Sequence, residues 1–220
     1  MDREKGLSQT PIAREGLKFI IPSLIFSIVS YIFFYYTLAL LSFLFLVFCL
    51  FFFRNPKRIS GEPGDRLISP ADGKVTEIKE ITEGEFLGHK ATRISIFMSL
   101  ASVHVNRAPG NGRILRVEHR PGKFELAWKT DVDTENERNY ILIESSDEKI
   151  LVVQIAGFLA RRITSYVHEG EMVKRGDPLG IIAFGSRVDI YLPESYECMV
   201  KLHEMVKAGK TPLAKRRGKA

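Results

Sequence analysis

From Phe19 to Phe53 the chain carries no charged residue. A run so long and so apolar cannot be the core helix of a small soluble domain, and it exceeds the roughly 20 residues that one bilayer span requires. It does not fit a cleavable signal peptide, whose apolar stretch is roughly 7–15 residues and ends at a small-residue site; here Arg54-Asn55-Pro56 follows. Two geometries satisfy the run: one long tilted span, or a hairpin of two short helices. Pro22 suits the first turn of a helix, and Ser30-Tyr31 or Tyr35-Tyr36-Thr37 could host the bend. Arg3, Lys5, Arg14 and Lys18 precede the run, and Arg54, Lys57, Arg58 and Arg66 follow it. Basic flanks at both ends favour both ends on the cytoplasmic side, hence a hairpin or re-entrant anchor. Residues 1–58 are therefore expected to form a membrane anchor at the cell membrane, with the rest of the chain on its cytoplasmic face.

The 26% of residues that are charged all lie outside that run, so residues 59–220 read as a polar, globular domain. Ile59 to Asp65 is a Ser/Gly/Pro linker. From Leu67 onward, short runs rich in Val, Ile and Phe alternate with Gly, Pro, Asn and Asp. They predict strands over Gly73–Ile81, Ala91–Phe97, Gly112–Arg120, Asn139–Ser145, Ile150–Ala156, Pro178–Ala183 and Arg187–Leu192. Few helices are expected beyond the apolar run: a turn at Ser102–Asn106 and a helix over Tyr196–Lys207. Regular short strands with turn signals argue for an all-β sandwich or barrel rather than a parallel α/β sheet. The stretch Glu169-Gly170-Glu171-Met172-Val173-Lys174-Arg175-Gly176-Asp177-Pro178-Leu179-Gly180 resembles the turn-strand signature of barrel-sandwich domains such as biotinyl and lipoyl carriers. The lysine those carriers modify is missing, so the resemblance concerns fold only. The expected fold is mainly β, a barrel-sandwich-like domain behind an N-terminal hydrophobic, membrane-anchoring helical segment.

Two cysteines, Cys49 and Cys198, cannot build a disulfide framework, which fits a reducing compartment. Of the net charge of +6, much sits at the two ends; Lys207, Lys210, Lys215, Arg216, Arg217 and Lys219 have no acidic counterweight in the tail. No nucleic-acid module and no interleaved aromatics accompany them, so nucleic acid is not expected as a partner. An anionic leaflet is, at about 1 kcal/mol per basic side chain close to the surface.

Phe184-Gly185-Ser186-Arg187 lies late in the chain between apolar strands. A Gly-Ser pair is by itself an ordinary turn. A serine placed after glycine can also turn on its own backbone, its hydroxyl attacking the Gly185 carbonyl and converting amide to ester. Gly185 has no side chain to block that approach. Four other stretches accompany it: Ser69-Pro70-Ala71-Asp72-Gly73, Val103-His104-Val105-Asn106-Arg107-Ala108-Pro109, His119-Arg120-Pro121-Gly122-Lys123-Phe124 and Asn136-Glu137-Arg138-Asn139. Together with Phe184-Gly185-Ser186-Arg187-Val188-Asp189 they resemble, in order and spacing, the short form of the phosphatidylserine decarboxylase proenzyme family, of which an archaetidylserine decarboxylase is a close variant. The resemblance covers about Pro56 to about Pro193.

The resemblance implies a proenzyme that cleaves itself at Gly185/Ser186 into a β chain (1–185) and an α chain (186–220), which stay associated. Ser186 becomes a covalent pyruvoyl group, one per α/β unit, which condenses with the substrate amine and serves as the electron sink for loss of CO2. No metal and no external cofactor are implied; the substrate is a phospholipid, and a homo-oligomer is left open. Asp72 matches the family aspartate that orients a histidine base for self-cleavage. His104 is the leading acid/base candidate. Better-known long members carry His-x-x-His, and here Arg107 stands at the second position, so the identity of the base for Ser186 is left open, with His119 as a replacement. Arg107 could instead hold the lipid phosphate or carboxylate, since a guanidinium fork suits either anion. His89, His168 and His203 match no motif. A second reading, a non-enzymatic barrel-sandwich adaptor tethered to a membrane, shares the fold signals and differs at the serine, which would leave the chain uncut. A serine hydrolase fits less well, because Ser186 lacks the Gly-x-Ser-x-Gly elbow.

Overall fold

The computed structural model describes residues 10–58, 61–122, 136–145, 148–157, 162–183 and 186–217. The chain forms two compact units, Met1–Lys57 and Arg58–Ala220.

In the first unit a 3-10 turn, Arg14–Gly16, leads into α1 (Leu17–Ile32), and α2 (Tyr36–Phe52) returns beside it. The reversal is built on backbone hydrogen bonds: the Tyr35 N–H reaches Ser30 O at 2.8 Å and the Phe34 N–H reaches Tyr31 O at 3.1 Å. This double closure of a helix end needs a left-handed residue, and Phe34 supplies it at φ 63°. Without glycine there, the conformation costs about 1 kcal/mol. At the open end Ile12 and Arg54 form an antiparallel bridge, and Phe19 stacks on Phe53 at 5.7 Å. Gly16 is required beside that stack, because a Cβ there would come 2.6 Å from the Phe53 side chain. Pro22, expected in a first turn, lies inside α1 instead. Its missing N–H leaves the Lys18 carbonyl without its helical donor, while Ser23 Oγ donates to the next carbonyl, Phe19, at 2.6 Å. The helical stretch Arg14–Ile32 is long and apolar enough to cross a membrane, and large apolar side chains are exposed along both helices, Ile25 and Leu41 among them.

The second unit is almost entirely strand: β1 (Arg66–Ile68), β2 (Gly73–Glu83), β3 (His89–Met98), β4 (Val105–Arg107), β5 (Gly112–Arg120), β6 (Arg138–Ser145), β7 (Glu148–Ala156), β8 (Ile163–Ser165), β9 (Met172–Val173), β10 (Pro178–Ile182), β11 (Ser186–Pro193), β12 (Tyr196–Cys198), β13 (Met205–Val206) and β14 (Pro212–Arg216). An eight-stranded antiparallel sheet runs in the order β13-β2-β3-β11-β7-β6-β5-β9, and two three-stranded sheets run β4-β10-β8 and β1-β14-β12. Strand alternation sends Ile94, Ile96, Ile141, Ile143, Val152, Val188 and Ile190 to the inner face of the large sheet. There they form one core with Leu179 and Ile182 of β10 and with Leu213 of β14. The opposite face carries a second apolar cluster, with Phe86 stacked on Tyr140 at 4.8 Å beside Leu151, Val153 and Ile155.

The fold is the expected mainly β, barrel-sandwich-like domain following an apolar helical segment. The seven predicted strands are present with ends moved by a residue or two. The predicted helix over Tyr196–Lys207 is absent. That segment is β12, a tight turn in which Lys201 N–H meets Glu204 Oε2 at 2.9 Å, and β13; His203 at φ 69° lies in the left-handed region, incompatible with a continuing helix. Of Ser102–Asn106, only its start is a turn, closed by Ser102 N–H on Ser99 O at 2.9 Å; the chain then straightens into β4.

Candidate active site

Ser186 opens β11, the strand held between β3 and β7, and faces Met98 on one side and Ala156 on the other. It points to the inner face and is fully buried (0% exposed). Its hydroxyl donates to the Met98 thioether at 3.6 Å, a weak acceptor. The same sulfur accepts Asn106 Nδ2 at 3.4 Å. Asn106 Oδ1 accepts Gln154 Nε2 at 2.7 Å, and Gln154 Oε1 accepts Asn139 Nδ2 at 2.9 Å. All three carboxamides are buried. Asn136 and Glu137 brace the strand opposite Ser186: Asn136 Nδ2 donates to Ala156 O at 2.8 Å, and Ala156 N–H donates to Glu137 O at 3.0 Å. Phe184 and Gly185, and with them the expected scissile bond, lie outside the described residues, as do Lys123 and Phe124.

His104 is fully buried just before β4, and its carbonyl accepts Ile182 N–H at 3.4 Å, beside the segment that leads toward Ser186. Strand alternation turns the neighbouring side chains of Asn106 and Arg107 on β4 to opposite sides.

Arg107 belongs to a second cluster. Its Nη1 donates to Gly176 O at 2.8 Å. Burial, with the nearby Arg58 charge adding to it, pulls its pKa down to about 10, against the opposing pull of Asp72 and Asp177. Asp72 accepts Arg58 Nη2 at 2.9 Å on one oxygen and the Ala208 N–H at 2.7 Å on the other. Neither partner is a histidine. Gly209, at φ 71°, closes this cluster, since a Cβ there would lie 3.0 Å from Arg58 and 3.1 Å from Arg107. His119 sits on β5, three strands from Ser186 along the sheet. Its side chain is 48% exposed, with Nε2 3.5 Å from Glu137 Oε1. The fold thus brings Ser186 and its carboxamide neighbours into one place, groups Asp72 with Arg107 in another, and sets His119 on a rim.

Sequence reasoning passed over Met98, Gln154, Asn139, Arg58 and the part of Asn106. Gln154 had a signal: it is the single polar residue at an inward position of the run Ile150–Ala156. Among the described residues no group of three or more His, Cys, Asp or Glu side chains could hold a metal ion.

Comparison with known proteins places the chain in a family. The family model described as phosphatidylserine decarboxylase matches residues 45–214. The phosphatidylserine decarboxylase proenzyme of Syntrophus aciditrophicus (strain SB) is 41% identical over 204 residues, covering 92% of this chain and 96% of the relative. That of Carboxydothermus hydrogenoformans is 47% identical over 182 residues, covering 82% and 85%. That of Magnetococcus marinus is 43% identical over 172 residues, covering 78% and 79%. A mainly β domain with a buried serine at the head of its central strand is here the body of an enzyme, a decarboxylase. The chain belongs to the phosphatidylserine decarboxylase family, and the non-enzymatic adaptor reading is set aside.

Proposed function

We propose that this chain converts phosphatidylserine to phosphatidylethanolamine and CO2, using a pyruvoyl group made from its own Ser186 after self-cleavage at Gly185/Ser186. The observation that carries the reading is the setting of Ser186: a hydroxyl that meets the Met98 thioether among the described residues, buried at the head of a central strand in a family of proenzymes. In self-cleavage Ser186 Oγ adds to the Gly185 carbonyl carbon, the amide C–N bond breaks, and the proton passes to nitrogen as the ester forms. Loss of the Ser186 Cα proton expels Gly185 as a carboxylate, and water then replaces the nitrogen as ammonia.

The surroundings fit an uncharged keto group, since Met98, Ala156, Asn106, Gln154 and Asn139 are all neutral. When present, the group supplies an electrophilic ketone that accepts the electron pair released as CO2 leaves. His104, buried two residues before Asn106, is the proposed carrier of the proton that replaces CO2. Arg107 is the proposed contact for the lipid phosphate or carboxylate, and His119 a secondary acid/base group at the rim. Asp72 is proposed to work through Arg58 and the Ala208 amide.

The α chain supplies β11 between β3 and β7, β13 beside β2 and β14 beside β1, so the two chains stay together after the cut. The N-terminal helices are proposed to hold the enzyme at the cell membrane, on the cytoplasmic face. A denaturing gel with intact mass of the small fragment tests the proposal. The expected result is two chains, with the fragment beginning at residue 186 lighter than a serine-started peptide by one ammonia, and headgroup conversion in detergent micelles. Ser186→Ala should stay whole; a wild-type chain that also stays whole after prolonged incubation would overturn the reading.

A further inference from the structure

The carboxamides beside Ser186 form a directed chain. Asn139 donates to Gln154, Gln154 donates to Asn106, and Asn106 donates to the sulfur that also accepts the Ser186 hydroxyl. Every donor in the chain points the same way, toward Ser186, so each amide polarises the next. Stability alone does not explain the arrangement. Buried amides must be hydrogen-bonded merely to recover their desolvation, and replacing both partners of such a bond by apolar groups of the same shape can be nearly neutral. Apart from Asn139 opposite it on β6, the inward neighbours of Gln154 along and across the sheet are apolar: Val152 and Ala156 flank it on β7 and Val188 stands opposite it on β11. The strand packed over Gln154 is also cut back to admit it: a Cβ on Gly180 would lie 3.1 Å and 3.2 Å from the two Gln154 amide atoms. Methionine is otherwise a pliable side chain with three rotatable bonds, and one that must orient a reacting hydroxyl needs a clamp.

Resting on the proposed self-cleavage, we infer that Asn139, Gln154 and Asn106 are positioning residues. They lock the Met98 thioether against Ser186, directing the hydroxyl proton to sulfur and fixing the side-chain rotamer from which the serine oxygen attacks. The relay acts on the uncut proenzyme and needs no assembled pyruvoyl group. Gln154→Leu removes the donor to Asn106. Met98→Leu removes the shared acceptor while conserving volume, a change that cores tolerate well. Gln154→Glu offers a conditional repair: a protonated carboxyl donates to Asn106 Oδ1 and still accepts from Asn139, whereas a carboxylate can only accept and faces Asn106 oxygen to oxygen.

The experiment follows the uncut fraction of freshly folded full-length chain on denaturing gels over time, across a pH series, with circular dichroism on each variant. His104, His119 and Glu137 lie on the elements around the relay, so each variant rate is divided by the wild-type rate at the same pH. Gln154→Leu and Met98→Leu should cut about tenfold more slowly or worse, the scale of one lost orienting hydrogen bond. Gln154→Glu should approach the wild-type rate at low pH and fall progressively behind it as pH rises. Wild-type rates in Met98→Leu, or a flat pH ratio in folded Gln154→Glu, overturn the relay. If Gln154→Leu fails to fold, Met98→Leu decides. If the wild type itself never cuts, the proposed function falls rather than the relay alone.

Discussion

Asp72→Asn separates two roles that one aspartate could play. In the structure its carboxylate accepts Arg58 at 2.9 Å and the Ala208 N–H at 2.7 Å. The Arg58 and Asp72 side chains are only 9% and 14% exposed, so solvent screens the pair little. Asparagine keeps an oxygen for Ala208 but turns a donor toward Arg58, and it removes the negative charge that Arg107 also feels. Breaking a fully buried pair costs about 3–5 kcal/mol, and losing one charge-assisted hydrogen bond about 1.5–3 kcal/mol. With some access to water, a loss of about 2–3 kcal/mol follows for Asp72→Asn. At about 2–4 °C per kcal/mol for a domain of this size, the melting temperature should drop by about 5–10 °C. The assay is calorimetry of Asp72→Asn in a Ser186→Ala background, so that both samples are single chains. A melting temperature within a degree or so of the parent would refute the clasp. Loss of self-cleavage by Asp72→Asn in the chain that keeps Ser186, with stability unchanged in the calorimetric pair, would return Asp72 to service of a histidine.

Gly180→Ala places a Cβ 2.5 Å from the Thr164 carbonyl as well as against Gln154. It should lower stability by about 1–3 kcal/mol and slow self-cleavage, read by melting curves and gels. Burial pushes the Asp189 carboxyl above its ordinary range, against the pull of Arg187, Ser95 and Arg93. The native state therefore holds this proton more tightly than the unfolded chain, and stability falls as pH rises from the ordinary aspartate value through the raised one. The wild-type advantage over Asp189→Asn should shrink across that window in pH-dependent melts, and a growing advantage would contradict the assignment. In the anchor, Leu41 is 58% exposed on α2. Leu41→Arg adds about 2.5–3.5 kcal/mol to insertion if it sits mid-membrane, and should move the chain out of the floating fraction in vesicle flotation; unchanged flotation would argue that this face of α2 does not meet lipid.

The strands were readable because β-branched residues alternate over lengths that turn residues bracket sharply, as at Gly112–Arg120, whose ends match. The C-terminal pieces were not. Tyr196, Met199, Val200 and His203 fall at helical spacing, yet only Tyr196 enters a strand, the other three lie between β12 and β13, and those two short strands find their partners, β14 and β2, only by tertiary pairing. Ser186 announced itself through its motif. Arg58 gave no local sign of its link to Asp72, which only the folded chain brings about. Gln154 was visible in principle as a polar residue in an apolar row, but its partners Asn139 and Asn106 are remote in sequence and meet it only when β6, β7 and β4 assemble.

Because β11 lies in the middle of the large sheet, the proposed scission imposes an order of events: folding first, cutting second. The nicked molecule would be held by ladders on both flanks of a strand it could no longer recover by a one-chain search. Refolding after heat damage would become a bimolecular encounter, dependent on concentration and lost on dilution. Maturation would then be a ratchet, giving an enzyme made once, persistent through a slow unfolding rate, and replaced rather than renatured.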